Sequence, residues 1–237
     1  MRMSKPSPFE PVHLQLGAKM KSYHGWRLPA HYESVDAEQQ ALEEHCAAFD
    51  LCGFGRVSVK GPDAGKVLQA MGATDIPPQA SQRWNWTKTG KQTCRVAAMR
   101  NEYILFSLPG HEVLDKVHKA AAHEKLDVQI TDLSEKTAFL GLYGPKAFDS
   151  MSKLLPFEID ELTPGAAIPM SFFMMNFILL RGSWLGMDGL ELICPVSAAG
   201  LVGASIAKYR QKYSITPAGM DCLLAAMEKA PVPDGLG

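Results

Sequence analysis

The chain has 237 residues, 46% of them hydrophobic and 21% charged, with a formal net charge of −1 at pH 7. These are the values expected of an ordinary soluble globular protein, and with no basic block or stripe there is no electrostatic footprint for nucleic acid. A chain of this length buries roughly 70–75% of its unfolded surface, so it needs no metal or disulfide staple to fold. The five cysteines, Cys46, Cys52, Cys94, Cys194 and Cys222, are scattered, with no CxxC pair and no zinc-ligand spacing. They read as small buried hydrophobes in a reducing compartment. The N-terminus, MRMSKPSPFEP, lacks the apolar core of a signal peptide. The most apolar run, Met170–Leu180, is about half the length that spans a bilayer and reads as a buried strand. The expected location is cytoplasmic, with no membrane partner.

Residues 1–15 read as an extended arm, because Pro6, Pro8 and Pro11 deny it a helix. Asp36 is placed to cap a helix through EQQALEEHCAAF (38–49), with Gln39 completing a capping box. Phe54–Lys60 alternates as a strand and stops at Gly61-Pro62; Ala64, Val67, Leu68 and Met71 then share one face of a helix over Asp63–Met71. Thr74–Gln82, with Pro77-Pro78, reads as a loop. Arg83–Thr87 and Thr93–Met99 read as strands joined by a turn at Lys88–Lys91. A strand Tyr103–Leu108, a helix Glu112–Glu124 and a strand Val128–Asp132 follow. Phe172–Leu180 and Leu190–Cys194 are expected as strands, Ala199–Tyr213 and Ala218–Lys229 as helices, and Pro231–Gly237 as a frayed tail.

An internal echo runs through this order. Residues 57–71, VSVKGPDAGKVLQAM, and 139–151, FLGLYGPKAFDSM, each give an apolar strand, Gly-Pro-x-Ala and a helix. Proline in a first helical turn has its φ already set and gives up no needed donor, which lets such a junction recur. The whole pattern predicts an α+β fold with pseudo-duplicated, largely antiparallel sheets.

No Gly-rich phosphate loop, HExxH, GxSxG or EF-hand pattern occurs, and the seven histidines are dispersed, so no bound metal is expected. Trp84 and Trp86 stand at i and i+2, which puts both indoles on one face of a strand. They form either a stacking wall for a flat ligand or one face of a packed sheet. Tyr143 and Trp184 are candidates for the same wall. His24 and His31 flank a GWRLP loop and are candidate general bases near neutral pH. Arg95 is a candidate for holding developing oxyanion charge. Its neighbour Cys94 reads as a nucleophile activated by Arg95 or as a core thiol.

Three pieces in a fixed order, LGAKM (16–20), GWRLPAHY (25–32) and FDLCGFGRVSVKGPDA (49–64), resemble the N-terminal region of the glycine-cleavage T-protein (aminomethyltransferase) family. Members of that family move one-carbon units with tetrahydrofolate. The resemblance extends over nearly the whole chain and implies the aminomethyltransferase folate-binding fold. A discontinuous first domain, here 1–55 plus 138–237, would wrap an inserted ferredoxin-like domain, 56–137. The family's C-terminal β-barrel domain has no room in 237 residues. Residues 181–193, RGSWLGMDGLELI, resemble the family's TGYTGExGYEI segment and place Glu191 where the family has a carboxylate that binds the pterin ring. A carboxylate suits two parallel donors. The plain alternative is a charge facing outward on a half-exposed strand. Phe54 replaces the family's usual Met and keeps an apolar wall.

The same resemblance exposes departures. The stretch GKQTCRV (90–96) stands where the family has a GGxxDD-like strand with its reactive carboxylate, and supplies Thr93, Cys94 and Arg95 instead. AGMDCLLAAME (218–228) keeps Asp221 but has Met220 and Leu224 in place of the cations that meet the folate tail. Three readings stay open. The first is an enzyme acting on a one-carbon group of a small molecule, with tetrahydrofolate as acceptor. The second is a folate-independent lyase releasing formaldehyde from a small aromatic substrate. The third is a non-catalytic folate-binding protein or the small subunit of a larger oxidase or demethylase. The expected partners are a small-molecule substrate and, for the chain itself, a homo-oligomer or larger complex.

Overall fold

Two large sheets face each other across a shared core and carry helices on their outer sides. The computed structural model describes residues 4–155, 158–159, 161–172 and 174–230; the expected tail Pro231–Gly237 lies outside them. A short N-terminal sheet comes first: β1 (Lys5–Pro6), β2 (Lys19–Tyr23) and β3 (Trp26–His31) in the order β1-β3-β2, with α1 (Glu10–Gln15) between β1 and β2. Helix α2 (Val35–Glu44) and β4 (Cys46–Asp50) lead into the first large sheet. That sheet consists of β5 (Gly55–Lys60), β6 (Arg83–Thr89), β7 (Gln92–Ala98), β8 (Glu102–Ser107) and β9 (Gln129–Asp132), in the order β6-β7-β8-β5-β9. Helices α3 (Ala64–Ala70) and α4 (Val113–His123) cover its outer face. Without β6, its β-α-β-β-α-β run is the ferredoxin-like arrangement.

The second large sheet repeats the plan. It contains β10 (Thr137–Tyr143), β11 (Ala167–Phe172), β12 (Met175–Arg181), β13 (Gly189–Pro195) and β14 (Ile215–Ala218), with α5 (Ala147–Leu154) and α6 (Val196–Tyr209) outside and α7 (Met220–Lys229) at the end. Its order is β11-β12-β13-β10-β4-β14. With β4 set aside, β11, β12, β13, β10 and β14 stand where β6, β7, β8, β5 and β9 stand in the first sheet. The two Gly-Pro-x-Ala junctions are the β5–α3 and β10–α5 turns. Gly61 and Gly144 hold φ at +134° and +119°, and a Cβ on either would come within 2.6 Å of a backbone carbonyl oxygen. The sheets meet at their edges, where Trp84 N–H donates to Gly165 O (2.8 Å) and Ala167 N–H to Gln82 O (2.7 Å). All strands of the first large sheet fall within residues 55–132, and we propose that this sheet with α3 and α4 is the inserted unit expected above at 56–137.

Strand alternation sorts the side chains. On β7, Cys94, Val96 and Ala98 pack under α3 and α4, whereas Arg95 and Ala97 point toward the other sheet, as Ile104 and Phe106 do from β8. Arg56 of β5 pins the two sheets together. Its Nε donates to Thr137 Oγ1 (3.0 Å), its Nη1 to Phe54 O (2.6 Å), and its Nη2 to Ser134 O (2.5 Å) and Thr137 O (3.1 Å).

Several elements differ from expectation. The proline-rich arm contains α1, because Pro11 falls in its first turn where no donor is lost. Ser34, not Asp36, caps α2, its Oγ accepting from Ala37 N–H (3.2 Å), and the helix stops before Cys46. CAAF belongs instead to β4, which is buried and paired on both sides, so sheet pairing overrides its helix propensity. GWRLP lies largely in a strand rather than a loop, since Trp26–His31 pairs with both β1 and β2. The apolar run Met170–Leu180 spans the two antiparallel strands of a hairpin rather than one buried strand, and Met174 at its turn is fully exposed. All five cysteines are buried and unpaired. Among the described residues, no helix is long and apolar enough to cross a membrane.

Asp50, at the end of β4, anchors the N-terminal segment. Its Oδ2 accepts from Ser7 Oγ and from His13 Nε2 (2.8 Å), and its Oδ1 accepts from Cys52 N–H (2.9 Å). Burial alone pushes this carboxyl up, but the hydrogen bond and charge of His13, with the Cys52 and Ser7 bonds, outweigh it and hold the pKa below the usual range. A depressed pKa contributes stability that is present above the unfolded-state value, about 3.9, and lost as pH falls through the folded value. Urea midpoints are therefore expected to fall below about pH 4 in the parent, and less steeply in an Asp50→Asn variant that is weaker at neutral pH. Identical acid limbs in the two proteins would contradict this role.

Candidate functional site

The inner faces of the two sheets bring one buried cation against one buried anion. Arg95 of β7 and Glu191 of β13 are both fully buried, and Arg95 Nη1 donates to Glu191 Oε1 at 2.7 Å. Register explains the meeting. Glu191 pairs across to Gly141 and so shares the inner face of β10 with Tyr143. Gly141 and Gly189 leave room for the Tyr143 ring, since a Cβ on either would lie 2.8 Å from it. The Tyr143 hydroxyl then donates to the same Glu191 Oε1 at 2.7 Å. Burial first, and then the Glu191 charge, push the Tyr143 phenol well above its ordinary range, which keeps it a donor.

Aromatic rings enclose the guanidinium. Its Cζ lies 3.9 Å from the Trp84 ring centroid, 5.0 Å from Trp184, 5.6 Å from Trp86 and 5.8 Å from Phe106. Such faces attract a cation, and more strongly where water is excluded. Trp86 is the cross-strand partner of Arg95, and Trp84 is two residues away on the same face of β6. Trp84 Nε1 donates to Arg181 O (2.8 Å), and its ring packs onto Gly182, where any Cβ would collide with it. Trp184 comes from the loop between β12 and β13. Ser183 ties that loop back on itself by donating to Met187 O (2.7 Å), and Arg181 closes its base against Asp188 (2.9 Å). Phe54 packs beside Trp184, the rings tilted by 47° with centroids 4.9 Å apart. A cavity of about 620 Å³ has Trp84, Trp86, Gly182 and Ser183 in its wall, and neither Arg95 nor Glu191.

Seven of the residues singled out in the sequence thus come together: Arg95, Glu191, Tyr143, Trp84, Trp86, Trp184 and Phe54. The others do not. Cys94 faces away from Arg95 into the core under α3 and α4, its Sγ 3.7 Å from Thr89 Oγ1, and burial pushes its thiol up, the opposite of activation. Thr93 pairs with Lys88 beside the β6–β7 turn. His24 is exposed in the β2–β3 turn against Gly110, and His31 Nδ1 lies 3.6 Å from Asp221 Oδ2. Asp221 itself accepts from Lys21 (2.9 Å) and Tyr23 (2.8 Å). Neither histidine has a described contact with Arg95 or Glu191. Glu191 faces inward, so the outward-facing alternative fails. Phe106 joins the site without having been singled out; its alternation with Ile104 on β8 is the signal that points to it.

The fit to a pterin can be tested on Glu191. Taking two parallel donors requires both carboxylate oxygens. Oε1 is already engaged by Arg95 and Tyr143, which leaves only Oε2, buried and without a partner in the protein. In this arrangement the residues do not fit a pterin edge.

A family model described as the GCVT N-terminal domain matches residues 9–231. An aminomethyltransferase of Deinococcus deserti is 26% identical over 223 residues, covering 91% of this chain and 61% of its relative. An aminomethyltransferase of Shouchella clausii is 28% identical, covering 90% and 60%. The chain therefore spans about 60% of the length of these curated relatives. The glycine cleavage system aminomethyltransferase T of Bartonella henselae superposes with a TM-score of 0.79 at 19% identity, covering 98% of this chain and 63% of that one. A chain of the heterotetrameric sarcosine oxidase of Corynebacterium sp. U-96, solved with pyrrole 2-carboxylate, superposes at 0.58 and 16% identity, covering 90% and 97%. These likenesses establish an α+β T-protein fold.

Removing one member of the buried pair strands the other. Glu191→Ala is expected to cost about 3–5 kcal/mol in urea unfolding, while Arg95→Met combined with Glu191→Leu costs less than Glu191→Ala alone. Additive losses would contradict a coupled pair. Gly182→Ala is expected to push the Trp84 ring off Arg95, costing about 1–3 kcal/mol and changing the near-ultraviolet circular dichroism of the tryptophans.

Proposed function

The chain belongs to the GCVT N-terminal domain family, and we propose that this member acts on a one-carbon group of a small molecule without tetrahydrofolate. One observation carries the reading: the carboxylate aligned with the pterin-binding position has Arg95 as its internal counter-ion. Arginine also occupies the strand in which the family resemblance calls for a reactive carboxylate, which reverses the charge that a folate step would use. The five unpaired, buried cysteines suit a reducing, cytoplasmic setting.

The reaction that these groups support is release of formaldehyde from a hydroxymethyl group. The hydroxyl proton passes to Glu191 Oε2, the one carboxylate oxygen without a partner. The bond from the methylene carbon to the rest of the substrate breaks, its electron pair stays with the substrate, and formaldehyde leaves. Arg95 offsets the charge that develops, and the proton returns from Glu191 to the substrate atom that lost the carbon. Atoms and charge balance without an oxidant. Tyr143 holds Glu191 in place, and the indoles keep water from the ion pair. The base is thereby moved from His24 and His31 to Glu191.

A second reading is favoured by a separate observation. The sarcosine oxidase chain that superposes on this one is covered over 97% of its length, so a T-protein-like chain of this size occurs inside a larger assembly. On that reading the protein is a non-catalytic subunit.

The two are separated by assaying formaldehyde from a panel of hydroxymethyl compounds, without folate, on the purified chain. Activity that falls at least about a hundredfold in Glu191→Gln, together with no calorimetric heat on tetrahydrofolate addition, is the expected result. A strict folate requirement, or tetrahydrofolate binding abolished by Glu191→Ala, would overturn it. An inactive lone chain that purifies from its host with a stable large partner would favour the subunit.

A further inference from the structure

A chain of three hydrogen-bonded side chains runs from the end of β4 toward a cavity that the site above does not use. Asp50 Oδ2 accepts from His13 Nε2 at 2.8 Å, and His13 Nδ1 meets the Tyr32 hydroxyl at 2.7 Å. A buried carboxylate, an imidazole and a hydroxyl in line are the arrangement that a catalytic triad uses to move a proton. Three donors, from Ser7, His13 and Cys52, fix Asp50, so the imidazole keeps its Nε2 proton and its charge state is read at Nδ1. With His13 neutral, Tyr32 must donate to Nδ1, and its oxygen can only accept from any other group. With His13 protonated, Nδ1 donates to Tyr32, and the hydroxyl proton turns elsewhere. Burial first, and then the charges of Asp50 and Glu38, push the Tyr32 phenol up, so it keeps its proton in both states.

A cavity of about 300 Å³ has Leu16, Tyr32, Glu33, Glu38, Arg210 and Thr216 in its wall. Arg210 follows α6, and its guanidinium donates only from Nη1, to Ala207 O at 3.0 Å. Among the described residues no carboxylate pairs with it. Both oxygens of Glu38 are engaged, one by the Tyr32 backbone N–H (2.6 Å) and the other by that of Gly219 (2.9 Å). Glu33 is exposed to solvent. The other charged groups around the chain are committed as well. Glu10 accepts from Arg27 Nε at 2.8 Å, His31 lies against Asp221 at 3.6 Å, and Lys208 sits over the Tyr209 ring. Arg210 is therefore the cation of this cavity that lacks a counter-ion, and Tyr32 is the hydroxyl whose proton can be switched toward it.

We propose that this cavity binds a small oxyanion between Arg210 and the Tyr32 hydroxyl, and that binding carries a proton onto His13. The anion needs a donor from Tyr32, because a hydroxyl that presents only lone pairs repels it. Once that donor turns to the anion, His13 Nδ1 has lost its own donor and takes up a proton from solvent. The imidazolium then rests against Asp50, so its charge is answered inside the protein. At about 300 Å³ the cavity stands at the small end of ligand sites, which suits a carboxylate or a tetrahedral anion. The site contains neither Arg95 nor Glu191 and does not depend on the reaction proposed above.

Sulfate and malonate, both fully ionised between about pH 7 and 9, are titrated into the protein by calorimetry in buffers of differing ionisation enthalpy. Saturable binding with uptake of a single proton is expected, the affinity falling about tenfold per pH unit above the ordinary imidazole pKa of about 6.5. Arg210→Met is expected to bind at least about tenfold more weakly while unfolding like the parent, since Arg210 is only half-buried. Tyr32→Phe keeps the ring and the Asp50–His13 pair; it is expected to take up no proton and to lose at least about tenfold in affinity. If that variant fails to fold, the pH slope of the parent and Arg210→Met decide. Binding of one anion alone, with the slope and the Arg210 dependence, supports the site and tells a carboxylate ligand from a tetrahedral one. No saturable binding of either anion, an affinity that is flat across this pH range, or undiminished binding to Arg210→Met would overturn the proposal.

Discussion

The Arg95–Glu191 pair is the constraint around which the interior is arranged. Each ion loses several kcal/mol of hydration on burial, and mutual attraction repays this only with good geometry and further hydrogen bonds. The surroundings supply both on one side. Tyr143 gives Glu191 Oε1 a second donor, and four aromatic rings present their faces to the guanidinium. Glycines at 141 and 189 admit the Tyr143 ring, and Gly182 admits that of Trp84. Small residues at these points make the aromatic enclosure possible; the enclosure in turn excludes water from the charges.

Pseudo-duplication explains where the pair sits. Each sheet presents an inner face, and the equivalent strands β5 and β10 match in plan but not in chemistry. Arg56 of β5 binds carbonyls across the junction and is structural throughout. At the β10 end the inner face carries Gly141 and Tyr143, which open onto Glu191. Both buried arginines belong to the first large sheet: Arg56 on β5 has each of its nitrogens met by an acceptor, whereas Arg95 on β7 keeps Nε and Nη2 unpaired.

Much of this is legible in the sequence. The echo at 57–71 and 139–151 carries the duplication, because Gly-Pro-x-Ala encodes a backbone turn that no other residues make as easily. The i, i+2 tryptophans on β6 carry the aromatic wall through strand periodicity. The pairing of Arg95 with Glu191 is not legible: the two are 96 positions apart and meet only where the two sheets pack face to face. Adjacency misleads at Cys94 for a related reason, since neighbours in a strand point to opposite faces. The GWRLP segment reads as a loop because its glycine and proline hide pairing with strands on both sides, and CAAF reads as helical because the β10 and β14 partners lie far along the chain.

The most direct test of the central claim is an experimental structure of the chain soaked with tetrahydrofolate. The expected result has Arg95 Nη1 still within about 3 Å of Glu191 Oε1 and no pterin between the sheets. Arg95 turned away, with Glu191 open to a cavity large enough for a pterin, would contradict it.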